Sequence, residues 1–118
     1  MFNSGDLIKY NGKIARYRTG RPFTVVEKYP YRDDVYSCIR SGMTYTRQFK
    51  EEDIELLETI PKFSLGDAVE ITHNGVYRQY NVVGVIMASN QAGSIVRFAD
   101  EYQHNSLYMP NSKVRKIK

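Results

Sequence analysis

The sequence predicts an all-β protein built as two tandem small β-barrels related by internal duplication. Three observations carry this. The 118 residues include ten tyrosines and five phenylalanines, and aromatic residues favour strands and flat exposed surfaces. Few stretches are rich in alanine, leucine and glutamate together, as helices are. Above all, the two halves repeat the same order of signals, and a repeat decides the reading of a whole fold.

The repeat is read residue by residue. Phe2-Asn3-Ser4-Gly5-Asp6-Leu7-Ile8 recurs as Phe63-Ser64-Leu65-Gly66-Asp67-Ala68-Val69, an offset of 61. Asn11-Gly12 is matched by Asn74-Gly75. Phe23-Thr24-Val25-Val26 is matched by Tyr80-Asn81-Val82-Val83, at an offset of 57. At that offset Cys38-Ile39-Arg40 meets Ile95-Val96-Arg97, and Tyr45 meets Tyr102. Phe49, Ile54 and Leu57 meet Met109, Val114 and Ile117 at an offset of 60. The expected core pairs are Phe2/Phe63, Val25/Val82 and Ile39/Val96.

This arrangement divides the chain into modules 1–60 and 61–118, joined near Thr59-Ile60-Pro61-Lys62. Each is close to the lower size limit at which a domain buries enough surface to fold. In each module a Gly-Asp turn opens a short strand, 7–10 or 68–72, and an Asn-Gly loop follows. A valine-rich strand comes next, 23–28 or 80–87, then a turn at 30–34 or 89–93. The third strand is 35–41 or 94–99, and a fourth begins near Tyr45 or Leu107. The acidic run 50–58 competes as a helix, but its counterpart Pro110-Asn111-Ser112-Lys113 opens with turn formers. Both read as one helical turn followed by a last strand, 54–57 or 114–117. Five short strands at this spacing make a small barrel or sandwich rather than a parallel sheet.

At the two Gly-Asp openings the pattern resembles the SH3-like barrel group that includes KOW and Tudor-type modules. The residues that carry the likeness are Gly5-Asp6-Leu7-Ile8 with Val25-Val26, and Gly66-Asp67-Ala68-Val69 with Val82-Val83. The resemblance implies tandem SH3-like barrels and a ligand groove bordered by the first loop. It implies no particular ligand, because such barrels host many. A true KOW motif has a glycine-rich spacing that is incomplete here. A compact charged chain of this kind suits a bacteriophage or accessory gene product.

The first loop of module one, residues 13–21, is the most informative stretch. It carries Lys13, Arg16, Arg18 and Arg21 with Tyr17 and no acid. In this alignment it is several residues longer than its partner Val76-Tyr77-Arg78-Gln79. Guanidinium groups pair with phosphates while a neighbouring ring stacks on a base, so these five residues are the expected nucleic-acid contacts. A solvated cationic loop that only keeps the protein soluble is the alternative. Contact with an acidic protein surface is a third reading of the same charges.

Tyr29-Pro30-Tyr31, next to Arg32, is a second candidate. Tyrosine and arginine dominate partner-binding hot spots, although a hairpin tip covering a thin core has the same composition. Through Tyr29, Tyr31 and Arg32 the chain reads alternatively as an adaptor or inhibitor docking on a cellular protein. The net charge of +4 hides an acidic run at 51–58 opposite the basic tail 113–118. A structural component of a larger assembly would use that asymmetry for head-to-tail association. The tail itself reads as an edge strand protected by charge.

Enzyme chemistry has no foothold. His73 and His104 are isolated and lack metal-ligand spacing, and no nucleophile elbow or phosphate-cradling loop is present. Asp6 and Asp67 sit at matched positions, which favours a turn role in which they accept backbone amides. Cys38, the single cysteine, excludes an internal disulfide and reads as a small core residue. No cofactor or metal is expected. No basic-plus-apolar leader or membrane-length apolar run is seen, so no membrane partner is expected and a reducing cytoplasmic setting fits best.

Overall fold

The computed structural model describes residues 1–74, 79–98 and 106–117. Among the sequence expectations, Gly75 of the matched Asn-Gly pair, Val76 to Arg78 of the matched loop, Ala99, Tyr102, His104 and Lys118 lie outside these. The chain divides into two compact units, Met1–Ile60 and Pro61–Lys118. The protein is all-β, with two five-stranded antiparallel sheets and almost no helix. Among the described residues no helix is long and apolar enough to cross a membrane.

The first sheet holds β1 (Leu7–Tyr10), β2 (Phe23–Lys28), β3 (Val35–Ile39), β4 (Arg47–Lys50) and β5 (Ile54–Leu56), in the order β4-β3-β2-β1-β5. The second holds β6 (Ala68–Asn74), β7 (Gln79–Ser89), β8 (Gly93–Phe98), β9 (Ser106–Pro110) and β10 (Val114–Lys116), in the order β10-β6-β7-β8-β9. Read from the last strand inward, the two orders are the same. Among the described residues neither sheet is closed by a pairing between its two edge strands. A single 3-10 turn, Glu51–Asp53 or Asn111–Lys113, precedes each last strand.

Local chemistry explains the openings. Asp6 N–H donates to the Asn3 carbonyl and Asp67 N–H to that of Ser64, each at 3.0 Å. The intervening Gly5 and Gly66 have φ of 91° and 89°, the third-position geometry of a type II turn that favours glycine. The Asp6 and Asp67 carboxylates accept the amides of Asn3 and Ser64 at 2.8 and 2.9 Å. The two aspartates therefore serve the turn, as their matched positions indicated.

The ladders correct the alignment of the middle strands. Leu7 pairs with Thr24, and Ala68 with Val85. The offset of 61 thus continues through the second strand, and the partner of Val25 is Ile86 rather than Val82. A bulge confirms this register, falling between Val25 and Glu27 in β2 and between Ile86 and Ala88 in β7. Val25 faces Cys38 while Ile86 faces Val96, so Cys38 matches Val96 rather than Ile95. The physical reason is the two-residue period of a strand. A slip of four residues keeps every side chain on its face and is invisible to pattern. The one-residue slip in the third strand would betray itself, but β3 is buried on both faces, as is β8 from Gly93 to Val96.

The same register shows that the first loop of unit one is not longer than its partner. The spacing from β1 into β2 equals that from β6 into β7; the difference is what the segment does. In unit two the strands run on to Asn74 and Gln79. In unit one the ladder stops at Tyr10, and the chain turns through a four-residue helix, α1 (Ala15–Arg18).

The cores differ accordingly. Unit one packs Tyr10, Tyr17, Phe23, Tyr36 and Phe49 with Ile8, Val25, Cys38 and Ile54. Unit two packs Val69, Ile71, Ile86, Val96 and Val114, with Phe63, Phe98 and Met109 against them. Where Phe23 fills the first core, the ladder places Gly84, whose added Cβ would lie 2.5 Å from Val96 Cγ1. Cys38 is a fully buried free thiol, and desolvation pushes its pKa up to about 12. Unit two also buries polar groups, all hydrogen-bonded. Ser89 and Ser94 hydroxyls meet at 2.9 Å, Ser94 donates to Asn111 Oδ1, and Asn111 Nδ2 donates to the Asn90 carbonyl.

Candidate functional site

The basic segment of unit one is ordered by side chains from elsewhere in the unit: Tyr10, Phe23, Phe49, Arg47 and Arg40. Tyr17, on α1, drops its ring into the core at 8 % exposure. Tyr10, Phe23 and Phe49 surround it with centroids 5.5–5.9 Å away. The expectation that Tyr17 stacks on a base is therefore corrected, because the ring presents no face to solvent. Core packing wins because a buried aromatic ring is among the largest apolar contributions a unit of this size has. Tyr17 anchors the segment.

Its hydroxyl accepts from Arg47 Nε at 2.7 Å and from an Arg16 guanidinium nitrogen at 3.2 Å. The Arg16 hydrogen bond, and after it that from Arg47, hold the phenol below the ordinary tyrosine pKa. The Arg16 guanidinium also lies 4.7 Å from the Tyr17 ring centroid. Arg18 donates to the Gly12 carbonyl at 3.2 Å.

The strongest fastening is Arg40, just past β3. One of its terminal nitrogens donates to the Thr19 carbonyl at 2.7 Å and to that of Arg21 at 3.4 Å. The other donates to the Arg16 carbonyl at 3.2 Å. The guanidinium stands 4.7 Å from the Phe23 ring centroid. Arg40 thus closes the end of α1 with the rigid fork that distinguishes arginine from lysine. Sequence reasoning missed it. Arg40 is distant in sequence from the carbonyls it serves, and its neighbours carry no local signal for such a contact.

With the backbone held, the cations point outward. Lys13, Arg16, Arg18 and Arg21 are exposed, as is Lys9 on β1. None of them has a carboxylate within ion-pair distance among the described residues. The contrast is with the tail, where Arg115 pairs with Glu70 at 3.0 Å and Lys116 with Asp67 at 3.7 Å. Those pairs fit the reading of β10 as an edge strand shielded by charge. Lys9, Arg18 and Arg21 border a small hollow of about 120 Å³ that Tyr10, Phe23 and Leu57 also line.

The structure brings Tyr29, Tyr31 and Arg32 together at the tip of the β2–β3 hairpin. The two rings meet edge to face at 5.4 Å, and the Arg32 amide donates to the Tyr29 carbonyl at 3.4 Å. Tyr31 is 82 % exposed, whereas Arg32 is engaged with Asp34 at 3.2 Å. This tip is a separate feature from the basic segment. Among the described residues no three His, Cys, Asp or Glu side chains gather as a metal ion would require. Neither a scan against protein-family models nor a search of curated proteins matches this chain.

Proposed function

We propose that this chain is a non-catalytic binding protein of two SH3-like modules, and that the first contacts nucleic acid through its basic segment. The shared strand order, the bulge in each second strand and the 3-10 turn before each last strand support the SH3-like reading. The observation that carries the function is the group of exposed cations without carboxylate partners on a segment fastened by Tyr17 and Arg40. Exposed cations without carboxylate partners can neutralise phosphates, and holding their backbone in advance lowers the ordering cost of binding. Lys13, Arg16, Arg18 and Arg21 are the phosphate contacts in this reading.

Titration of labelled oligonucleotides across a range of salt concentrations tests it. Four neutralised phosphates give a log–log slope of roughly −3 on a single strand. Arg16→Ala, Arg18→Ala and Arg21→Ala combined are expected to bring the slope to about −1 while the protein stays folded. Absence of binding at low salt would rule the reading out. A second reading, an adaptor docking on a protein, is favoured by the 82 % exposure of Tyr31. It requires Tyr31→Ala to abolish recovery of one stoichiometric protein partner.

A further inference from the structure

Two guanidinium groups of unit one meet at a single neutral oxygen. The Tyr17 hydroxyl accepts from Arg47 Nε at 2.7 Å and from Arg16 Nη2 at 3.2 Å. Neither arginine has a carboxylate within ion-pair distance among the described residues. Like charges brought this close repel each other, and one phenol oxygen does not offset that repulsion.

The cluster also holds more donors than it uses. A phenol has one hydrogen to give as well as lone pairs to receive, and a guanidinium has five N–H groups. Both arginine bonds treat the Tyr17 oxygen as an acceptor, and its own O–H meets no acceptor among the described residues. Arg47 donates otherwise only to the Thr46 carbonyl, through Nη1 at 3.3 Å. Its Nη2 is left over, as are Nε and Nη1 of Arg16. The phenol is fixed in place, since Tyr17 is 8 % exposed and its ring is packed in the core. Arg16 is exposed and Arg47 half-buried, so an ion in solution reaches both.

Such a cluster calls for a partner rich in acceptors and carrying more than one negative charge. A phosphomonoester has a charge of about −1.5 to −2 and three strong acceptor oxygens, and arginine forks match its geometry. A phosphodiester inside a strand brings one charge and two unsubstituted oxygens. Resting on the nucleic-acid reading above, we infer that Arg16, Arg47 and the Tyr17 hydroxyl form a receptor for one phosphomonoester, the terminal phosphate of a strand. The two guanidinium groups take its charge and the phenol O–H supplies a further donor. Lys13, Arg18 and Arg21 are left to the internal phosphates. A 5′ and a 3′ phosphate share this chemistry.

The test titrates the protein with one oligonucleotide bearing a 5′-phosphate, a 3′-phosphate or hydroxyls at both ends, at one salt concentration. At least one phosphorylated form is expected to bind about tenfold more tightly than the hydroxyl-ended strand, the low end of what hydrogen bonds to a charged group contribute. Inorganic phosphate is the second probe, read by the arginine Nε–H resonances against chloride at equal ionic strength. Those of Arg16 and Arg47 are expected to move, and that of Arg32 to stay. Arg47→Gln and Tyr17→Phe are each expected to remove most of the preference for a phosphorylated end; the second keeps the ring that the core needs. Equal affinity for the three strands overturns this inference and leaves the parent reading standing. So does a preference that survives in both variants, or inorganic phosphate that leaves Arg16 and Arg47 unmoved. No binding of any strand overturns both.

Discussion

Replacing Tyr17 by alanine is expected to unfold unit one. Truncating a buried aromatic side chain costs about 3–5 kcal/mol, and a core in a domain of this size supplies no more than about 3–5 kcal/mol in total. The loss therefore consumes the stability of the unit. Tyr17 also ties α1 to β1, β2 and β4 through Tyr10, Phe23 and Phe49, so its loss opens that wall of the core. Tyr17→Phe separates the two roles of the residue. It keeps the ring and removes only the acceptor for Arg47 and Arg16, at a cost of about 1 kcal/mol. Denaturant unfolding of both variants, followed by tyrosine fluorescence, checks this. A Tyr17→Ala protein as stable as the parent would show that the ring is not a core element.

Replacing Arg40 by lysine is expected to weaken nucleic-acid binding about as much as replacing it by alanine, roughly tenfold. If Arg40 acted through charge alone, lysine would preserve binding. Its geometry predicts the opposite, because the carbonyls of Arg16, Thr19 and Arg21 are gathered by one planar fork, which an ammonium cannot reproduce. The carbonyls lie near solvent, so water takes over part of the lost bonding. The stability cost is correspondingly about 1–2 kcal/mol, and the fold survives. Affinity falls because the segment must then be ordered on binding. The salt slope should stay near that of the parent, since the phosphate contacts keep their charges. Affinity retained in Arg40→Lys would assign Arg40 a purely electrostatic role.

Much of the fold can be read from the residues. Strands such as Leu7–Tyr10 and Phe23–Lys28 follow from β-formers bounded by turn residues, and both Gly-Asp turns follow from residues that admit few other geometries. The register of the middle strands does not. Val82 and Ile86 lie four residues apart along β7, on one face of the strand, so pattern alone accepts Val82 where the ladder places Ile86. Burial on both faces removes the alternation that would fix β3 and β8. The helical turn at Ala15–Arg18 is invisible for another reason. Ile14 stands at its N-cap without a capping side chain, so no start signal exists.

The site was half legible for related reasons. Cations on an exposed segment announce themselves by composition, and Lys13, Arg16, Arg18 and Arg21 do stand outward. Whether an interleaved tyrosine faces solvent or core depends on the direction in which the segment folds, and that is set by distant partners. Arg47 and Arg40 supply those contacts across the sheet. The lack of carboxylate partners also depends on the fold, because the sheet decides where Glu51, Glu52 and Glu55 fall, and none of them forms an ion pair with these cations. Charge that is plain in the sequence becomes a candidate surface only through that placement.

The central claim is that the basic segment of unit one is the surface that meets nucleic acid. Amide NMR spectra recorded during titration with a short single strand test it most directly. The account predicts shifts concentrated at residues 9–21, with Arg40 following. Shifts confined to the Tyr29–Tyr31 hairpin tip, or to the second unit, would contradict it.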